Sequence, residues 1–464
     1  MHRLRFTHFL CLALVVISLV GVTSCTEEND PIQTGKSLVK DYDASVPLQW
    51  NQLFLEIDRY SPGYRPPAAA RMLAYTGLAA YEAAVQGMPE YNSLQHEFPG
   101  LQLPKVQNGS EYNWPICVST AYANMFRYFY PHIKAGDAYK ITALEDKFLE
   151  EFRDEIAPDV LERSKQFGYQ VAQAVFAYSE TDSYGHEAYN NPRPANYHPP
   201  TTGPNGEKLW QPTFPDFSSA LFPYWGKVRP FAMNSSDIIS KPPLPYSEEP
   251  ASLFYQQASE VRYIVNLANF TTQWVAEFWS DDFFELTFEP AGRQVAIANI
   301  LVDEDNIPMD RAVELYAKMG MALADVGIAV WNSKYIYNVR RPIEYIRDVM
   351  EPGWQTILNN PLNNVRSLTP EFPAYPSGHS GFGGAGSAIM ADIFGNMHPY
   401  TDNCHQNRNE FNGASRSYNT ILEAGVENAY SRLALGVHFR MDCDEGIRLG
   451  YLAATRVNAL PWRN

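Results

Sequence analysis

The sequence predicts an all-α protein, a core of packed helical bundles joined by long loops rich in aromatic residues and proline. Three observations carry that expectation. Apolar residues return at helical spacing in one segment after another, no stretch alternates apolar and polar residues as a half-buried strand would, and no internal repeat marks a solenoid or propeller. With 464 residues, 45% of them hydrophobic and 14% aromatic, the chain can bury a large core. Its formal charge of −16 supplies no basic stripe for a phosphate backbone, which excludes nucleic acid as a partner.

The first residues stand apart from the fold. Met1-His2-Arg3-Leu4-Arg5 is a basic opening, Phe9 to Val22 is nearly unbroken apolar sequence, and Val22-Thr23-Ser24-Cys25 reads as a bacterial lipobox. Residues 1–24 are therefore expected to be a lipoprotein signal peptide. Cys25 would carry the lipid and hold an exported protein at the cell envelope, touching the membrane only through that anchor. Residues 25–45 open on the acidic run Thr26-Glu27-Glu28-Asn29-Asp30 and read as a tether. Residues 46–464 read as one domain whose motif-bearing half spans 310–460, and no second apolar segment has spanning length.

Within the domain, Ala68 to Gln86 places Leu73, Gly77, Leu78, Tyr81, Ala84 and Val85 on one helical face, after Pro66-Pro67 and before Gly87. Thr142 to Arg153, Asp159 to Ser179, Leu253 to Leu267, Asp310 to Trp331 and Gly381 to Phe394 carry the same period, and Ala429 to Val437 and Arg448 to Ala459 close the chain. The long segment from Ser183 to Pro250 holds 13 of the 34 prolines with Trp210, Tyr224 and Trp225, and reads as a lid, a binding loop or an arm wrapped on the surface. Outside the signal and Cys25 the cysteines are Cys117, Cys404 and Cys443. Their spacing fits no zinc site, and a Cys404–Cys443 bridge is allowed, with Cys117 as a small buried hydrophobe.

Three motifs carry chemistry. Lys334, six residues and Arg341-Pro342 come first; on one helix a spacing of seven puts both cations on one face, where they can grip one anion. Pro376-Ser377-Gly378-His379, followed by small residues, is a loop opening a helix. Such an end offers bare backbone N–H groups and a positive dipole to an anion, with the Ser377 hydroxyl, close approach at Gly378 and a proton carrier in His379. The third is Ser431-Arg432, His438 and Asp442. At i, i+4 the carboxylate can hold one nitrogen of His438 and aim the other into a pocket. Each motif alone has an ordinary structural reading: a solvated helix face, a capped helix start, a partly buried histidine. Together they supply three cations, a hydroxyl, a backbone N–H and two histidines for one tetrahedral or trigonal-bipyramidal oxyanion.

These motifs resemble the signature of the type 2 phosphatidic acid phosphatase (PAP2) and vanadium haloperoxidase superfamily. The resemblance implies vanadate on Lys334, Arg341, Arg432, Ser377 and Gly378, with His438 as the apical metal ligand, His379 as acid/base and Asp442 behind His438. In a phosphatase of the superfamily the same pocket needs no cofactor. It would take a phosphate monoester, and His438 would form a phosphohistidine. Features outside the signature point to the haloperoxidase branch. Ala322 to Lys334, including Trp331, is similar to the helix before the lysine in bacterial vanadium haloperoxidases, and Phe372-Pro373-Ala374-Tyr375 is similar to the fungal chloroperoxidase stretch. Pro67 to Val85, Pro223 to Phe231 and Gln273 to Trp279 also resemble that branch, so the likeness covers most of residues 60–455. Trp331 and Phe372 would line the substrate pocket. One departure is Pro290-Ala291-Gly292-Arg293-Gln294, where the family often has Pro-Pro-Gly-His-Trp. The expectation is an oxidoreductase using hydrogen peroxide on iodide or bromide, the halides easier to oxidise than chloride. A soluble acid phosphatase and a non-catalytic oxyanion-binding lipoprotein are the alternatives.

Overall fold

The computed structural model describes residues 37–464. The expected signal peptide, Cys25 and the start of the tether lie outside them. Thirteen α-helices are present among the described residues: α1 (Ser45–Asp58), α2 (Ala68–Ala84), α3 (Trp114–Phe129), α4 (Ala135–Arg153), α5 (Pro158–Glu180), α6 (Leu253–Asn266) and α7 (Phe270–Phe278). There follow α8 (Pro290–Asp305), α9 (Met309–Tyr337), α10 (Pro342–Val349), α11 (Gly378–Phe394), α12 (Ile421–Leu435) and α13 (Arg440–Asn458). A single antiparallel hairpin, β1 (Tyr400–Asp402) with β2 (Arg416–Tyr418), pairs Tyr400 with Tyr418. The fold is all-α, as the periodicity predicts.

Every helix expected from the periodicity is found, several with longer ends. Two of the helices not anticipated, α3 and α8, share a physical cause. In α3, 13 of 16 residues are buried, and α8 is buried nearly all round, so neither shows a polar face from which to read a period. Helix α10 has only 8 residues. The last residues of the expected tether are also built into the domain: Val39 is buried in a short 3₁₀ turn, Tyr42 accepts from Met309 N at 2.9 Å, and Trp114 Nε1 donates to Ser37 O at 2.9 Å. Cys117, Cys404 and Cys443 are free thiols, so the allowed Cys404–Cys443 bridge does not form.

Helix α9 is the axis. It packs against α2 on one side and against α11 and α13 on another, and α11 also contacts α12. The crossing with α2 is close enough that Cβ atoms on Gly77 and Gly320 would stand 2.8 Å from Tyr316 O and 2.6 Å from the Leu73 carbonyl carbon. Only glycine fits there.

The proline-rich segment wraps α9. Buried Asp325 accepts hydrogen bonds from Phe231 N at 2.6 Å and from Ala232 N and Met233 N at 2.7 Å each. Asn332 Nδ2 donates to Ile238 O, and Trp331 Nε1 and Tyr335 OH both donate to Leu221 O. The segment is thus an arm whose backbone polar groups are satisfied by the helix that carries the first motif. Asp325→Ala strands three backbone donors and should cost about 3 kcal/mol of unfolding free energy. Urea unfolding measures this; a loss within error of zero would mean the arm is not held by Asp325.

Candidate active site

Each motif residue sits where a helix begins or ends. Lys334 is on the last turn of α9, which stops at Tyr337; Asn338 then takes the left-handed conformation (φ 48°), held by its own Nδ2 on Tyr335 O at 2.8 Å. Arg341 therefore does not share a helix face with Lys334, contrary to the sequence expectation. It is the N-cap of α10, where its backbone N donates to Glu344 Oε2 at 2.8 Å. The chain reversal brings the two cations together by another route. Lys334 Nζ and the Arg341 guanidinium lie over the same Phe372 ring, 4.8 and 5.1 Å from its centroid.

Ser377 caps α11, accepting from Ser380 N at 3.3 Å, and its own N–H donates to Asp442 O at 2.9 Å. That contact needs α13 close by. A Cβ on Gly446 would stand 2.6 Å from Ser377 O. Gly378 N–H occupies the first position of α11 and has no intrahelical acceptor. Arg432 ends α12, where Gly436 (φ 83°) turns the chain toward His438. His438 lies just ahead of α13 rather than on a helix with Asp442, but the expected contact is made. Asp442, in the first turn, accepts from His438 Nδ1 at 3.0 Å and from Phe439 N at 2.9 Å.

Lys334, Arg341 and Arg432 are wholly buried, as are Ser377 and Asp442, and His438 and His379 nearly so. Lys334 Nζ rests on the carbonyls of Pro373, Ala374 and Pro376 at 2.8, 3.0 and 2.5 Å. Burial and the neighbouring Arg341 push this ammonium well below its usual range, and burial lowers Arg341 to about 9. Burial first, then the guanidiniums, holds both histidines well below the usual imidazole range, so both are neutral. Burial raises Asp442 to about 7 against the pull of Phe439 N–H and Lys334. A neutral His438 that donates through Nδ1 keeps its lone pair on Nε2, where Arg341 Nη1 donates at 3.0 Å.

Two donors of this cluster are left over. Arg341 Nη2 and Arg432 Nε are buried and have no hydrogen-bond partner in the protein. Unpaired buried donors on cations are costly. Here they belong to a site that also offers the Gly378 N–H, the Ser377 hydroxyl and the Nε2 side of His438. The set fits a tetrahedral oxyanion of the vanadate or phosphate type, with an imidazole nitrogen for the central atom.

A cleft of about 270 Å³ reaches this cradle. Trp331, Phe372, Gly378 and His379 are among its lining residues, and the Phe372 ring in turn carries Lys334 and Arg341. Trp331 and Phe372 pack with ring centroids 4.9 Å apart. The sequence motifs did not reveal one part, the turn Ser280–Asp282. Ser280 O accepts from His379 Nε2 at 2.8 Å and from Arg432 Nη1 at 3.2 Å, and Asp282 Oδ2 accepts from Arg432 Nη2 at 2.8 Å. His379 therefore spends its Nε2 proton on a carbonyl and keeps the Nδ1 lone pair for a proton. Two consecutive acids after Trp279 in an aromatic stretch were the only signal in the sequence.

Three comparisons with known proteins agree with this geometry. Residues 314–460, which hold every cradle residue, match the family model of the VCPO second helical-bundle domain. The chain is 26% identical to the vanadium chloroperoxidase of Curvularia inaequalis over 498 aligned positions, 87% of this chain and 80% of that protein. It superposes on the first bacterial vanadium-dependent iodoperoxidase with a TM-score of 0.78 and 26% identity, covering 90% of this chain and 96% of that one. The family model, the curated relative and the similar structures are all of the vanadium haloperoxidases. A bacterial vanadium-dependent chloroperoxidase shares its fold at a TM-score of 0.61 and 16% identity, over 89% of this chain and 92% of that one. These likenesses support an oxidoreductase enzyme.

The departure at Arg293 from the Pro-Pro-Gly-His-Trp often found in the vanadium haloperoxidases has a structural explanation. Arg293 does not line the cleft. It is wholly buried, donates to Asp402 Oδ2 at 2.8 Å, contacts His405, and lies 3.9 Å from Asp281 Oδ1. The arginine anchors, from behind, the turn that holds His379 and Arg432. In the cradle itself, Asp442→Asn keeps the shape but weakens the group that orients His438. Orthovanadate affinity, measured calorimetrically, should fall roughly 10- to 100-fold. An unchanged affinity would show that Asp442 does not orient the histidine for the anion.

Proposed function

We propose that the protein is a vanadate-dependent haloperoxidase that oxidises iodide or bromide with hydrogen peroxide. The observation that carries this reading is the pair of unpartnered buried donors, Arg341 Nη2 and Arg432 Nε, in a cationic cradle behind an open cleft. Likeness to haloperoxidases over about nine-tenths of the chain supports the oxidative branch over the phosphatase, because it extends to regions outside the shared cradle. Iodide or bromide is favoured over chloride because each gives up electrons more readily, and the bacterial iodoperoxidase is among the similar structures.

Vanadate bound here would supply an electrophilic oxidised centre that activates peroxide for two-electron oxidation of a halide. The protein's own groups do the rest. Lys334, Arg341 and Arg432 would hold and polarise the anion's oxygens, Ser377 and the Gly378 N–H would add neutral donors, and His438 would offer Nε2 as the protein ligand. His379 accepts a proton from peroxide at Nδ1 and can return it to the departing oxygen. Trp331 and Phe372 close the cleft's inner end with apolar surface.

Purified protein given orthovanadate, hydrogen peroxide and iodide should form triiodide, and His438→Ala should abolish it. Phosphate released from a monoester, with no triiodide, would overturn the proposal. The anion stabilises the protonated cations, so binding is tightest while they are charged. Vanadate affinity should therefore fall as pH rises through about 9, where Arg341 in the empty cradle loses its proton. We also propose that the protein works at the cell envelope on a lipid at Cys25. Palmitate labelling should be lost in Cys25→Ser.

A further inference from the structure

A second cavity, of about 210 Å³, shares no lining residue with the cleft above the cradle. It opens where α2, the end of α3 and α5 meet the loop after α5 and the turn Trp225–Lys227 of the proline-rich arm. Aromatic rings make much of its wall. Tyr64 stacks on Tyr189 and Tyr128 on Phe176, each pair with centroids 4.7 Å apart, and Trp225 adds an indole. Stacking occupies one face of each ring, and the face that remains attracts a cation.

The charge of the lining favours a cation as well. Glu180 and Glu187 are exposed and belong to the lining, which puts them at the rim. Neither pairs with a lysine or arginine among the described residues, and Glu180 has only His186, 3.9 Å away. Arg71, the one arginine of the lining, is already matched. Its Nη2 donates to Ser179 O at 2.7 Å, its Nε lies 3.4 Å from Asp182 Oδ2, and its guanidinium stands 4.8 Å from the Tyr75 ring centroid.

Two further features mark the cavity. Glu187 holds the left-handed conformation (φ 54°), which is costly for a residue with a side chain. The loop is pinned on both sides of it. Gly185 lies so close to Arg71 and Asp182 that no Cβ would fit, and Tyr189 is stacked on Tyr64. Trp225 is only 3% exposed, yet its Nε1–H finds no acceptor in the protein. A buried donor of this kind calls for an acceptor, and a ligand oxygen in the cavity would supply one.

We infer that this cavity binds a small organic ammonium ion bearing a hydroxyl or carbonyl oxygen, of the choline type. The ammonium lies against the rings, Glu180 and Glu187 balance its charge, and its oxygen accepts from Trp225 Nε1. The site is independent of the haloperoxidase reading.

Calorimetric titration of the full chain tests this with three probes: choline, tetramethylammonium and the neutral isostere dimethylbutanol, in which carbon replaces the nitrogen. Choline should bind saturably, and dimethylbutanol at least roughly tenfold more weakly, because it offers the rings no charge. Tetramethylammonium lacks the oxygen and should bind roughly fivefold more weakly than choline, the worth of one hydrogen bond. Trp225→Phe should weaken choline by about that factor and tetramethylammonium less. Glu187→Gln, an exposed change, should weaken both ammonium ions, and urea unfolding checks that each variant is folded. Absence of saturable choline binding overturns the proposal. Equal binding of choline and dimethylbutanol does so too, since burial of apolar surface alone would then account for it. Unchanged choline affinity in either folded variant places the ligand elsewhere and also overturns it.

Discussion

Three cations buried at one point are the constraint on which the rest of this structure turns. Lys334, Arg341 and Arg432 repel one another in a buried region, where Asp282, Asp442 and Glu344 oppose them. Such an arrangement is strongly unfavourable unless hydrogen-bond acceptors surround each charge and an anion completes the set. The protein meets the first condition with backbone carbonyls: three under Lys334, two under Arg341 and two under Arg432. Two N–H groups stay free, and they define the second condition.

Helix ends make this possible. The C-terminal turns of α9 and α12 deliver Lys334 and Arg432 to the point where α11 begins, and the N–H groups left over at that start are ones an α-helix cannot satisfy internally. Convergence of these ends places unmet donors, hydroxyl and imidazole around one cavity without breaking any helix. Close helix packing follows as a requirement. Glycines at the α2–α9 crossing and Gly446 beneath Ser377 let backbones approach to distances that any side chain would prevent.

Shells further out serve the same point. The 280–282 turn holds His379 and Arg432, and the buried Arg293–Asp402–His405 cluster holds that turn in its place. The arm after α5 is fastened along α9 by Asp325 and by Leu221 O, so the helix bearing Trp331 and Lys334 also fixes the cleft wall.

The all-α class, most helix positions and the membership of the cradle were legible in the sequence, because one-sided helices carry a period and the motifs name residue types that only an oxyanion needs together. Helices α3 and α8 were not legible, since burial on every side erases the period. Nor was the true relation of Lys334 to Arg341. Their spacing of seven suggests one helical face, but a left-handed Asn338 ends α9 between them, and a turn of one residue's φ is a local choice stabilised by packing. Asp282, Ser280 and Arg293 lay outside the three motifs, and their contacts with His379, Arg432 and Asp402 span 99 to 152 residues of chain. Sequence by itself determined which groups gather at the cradle, because chemistry restricts the side chains that could serve an anion together. Tertiary structure alone decided how they are held and what lies above them, because long-range contacts between helix ends and loops set that geometry, and no local pattern records them.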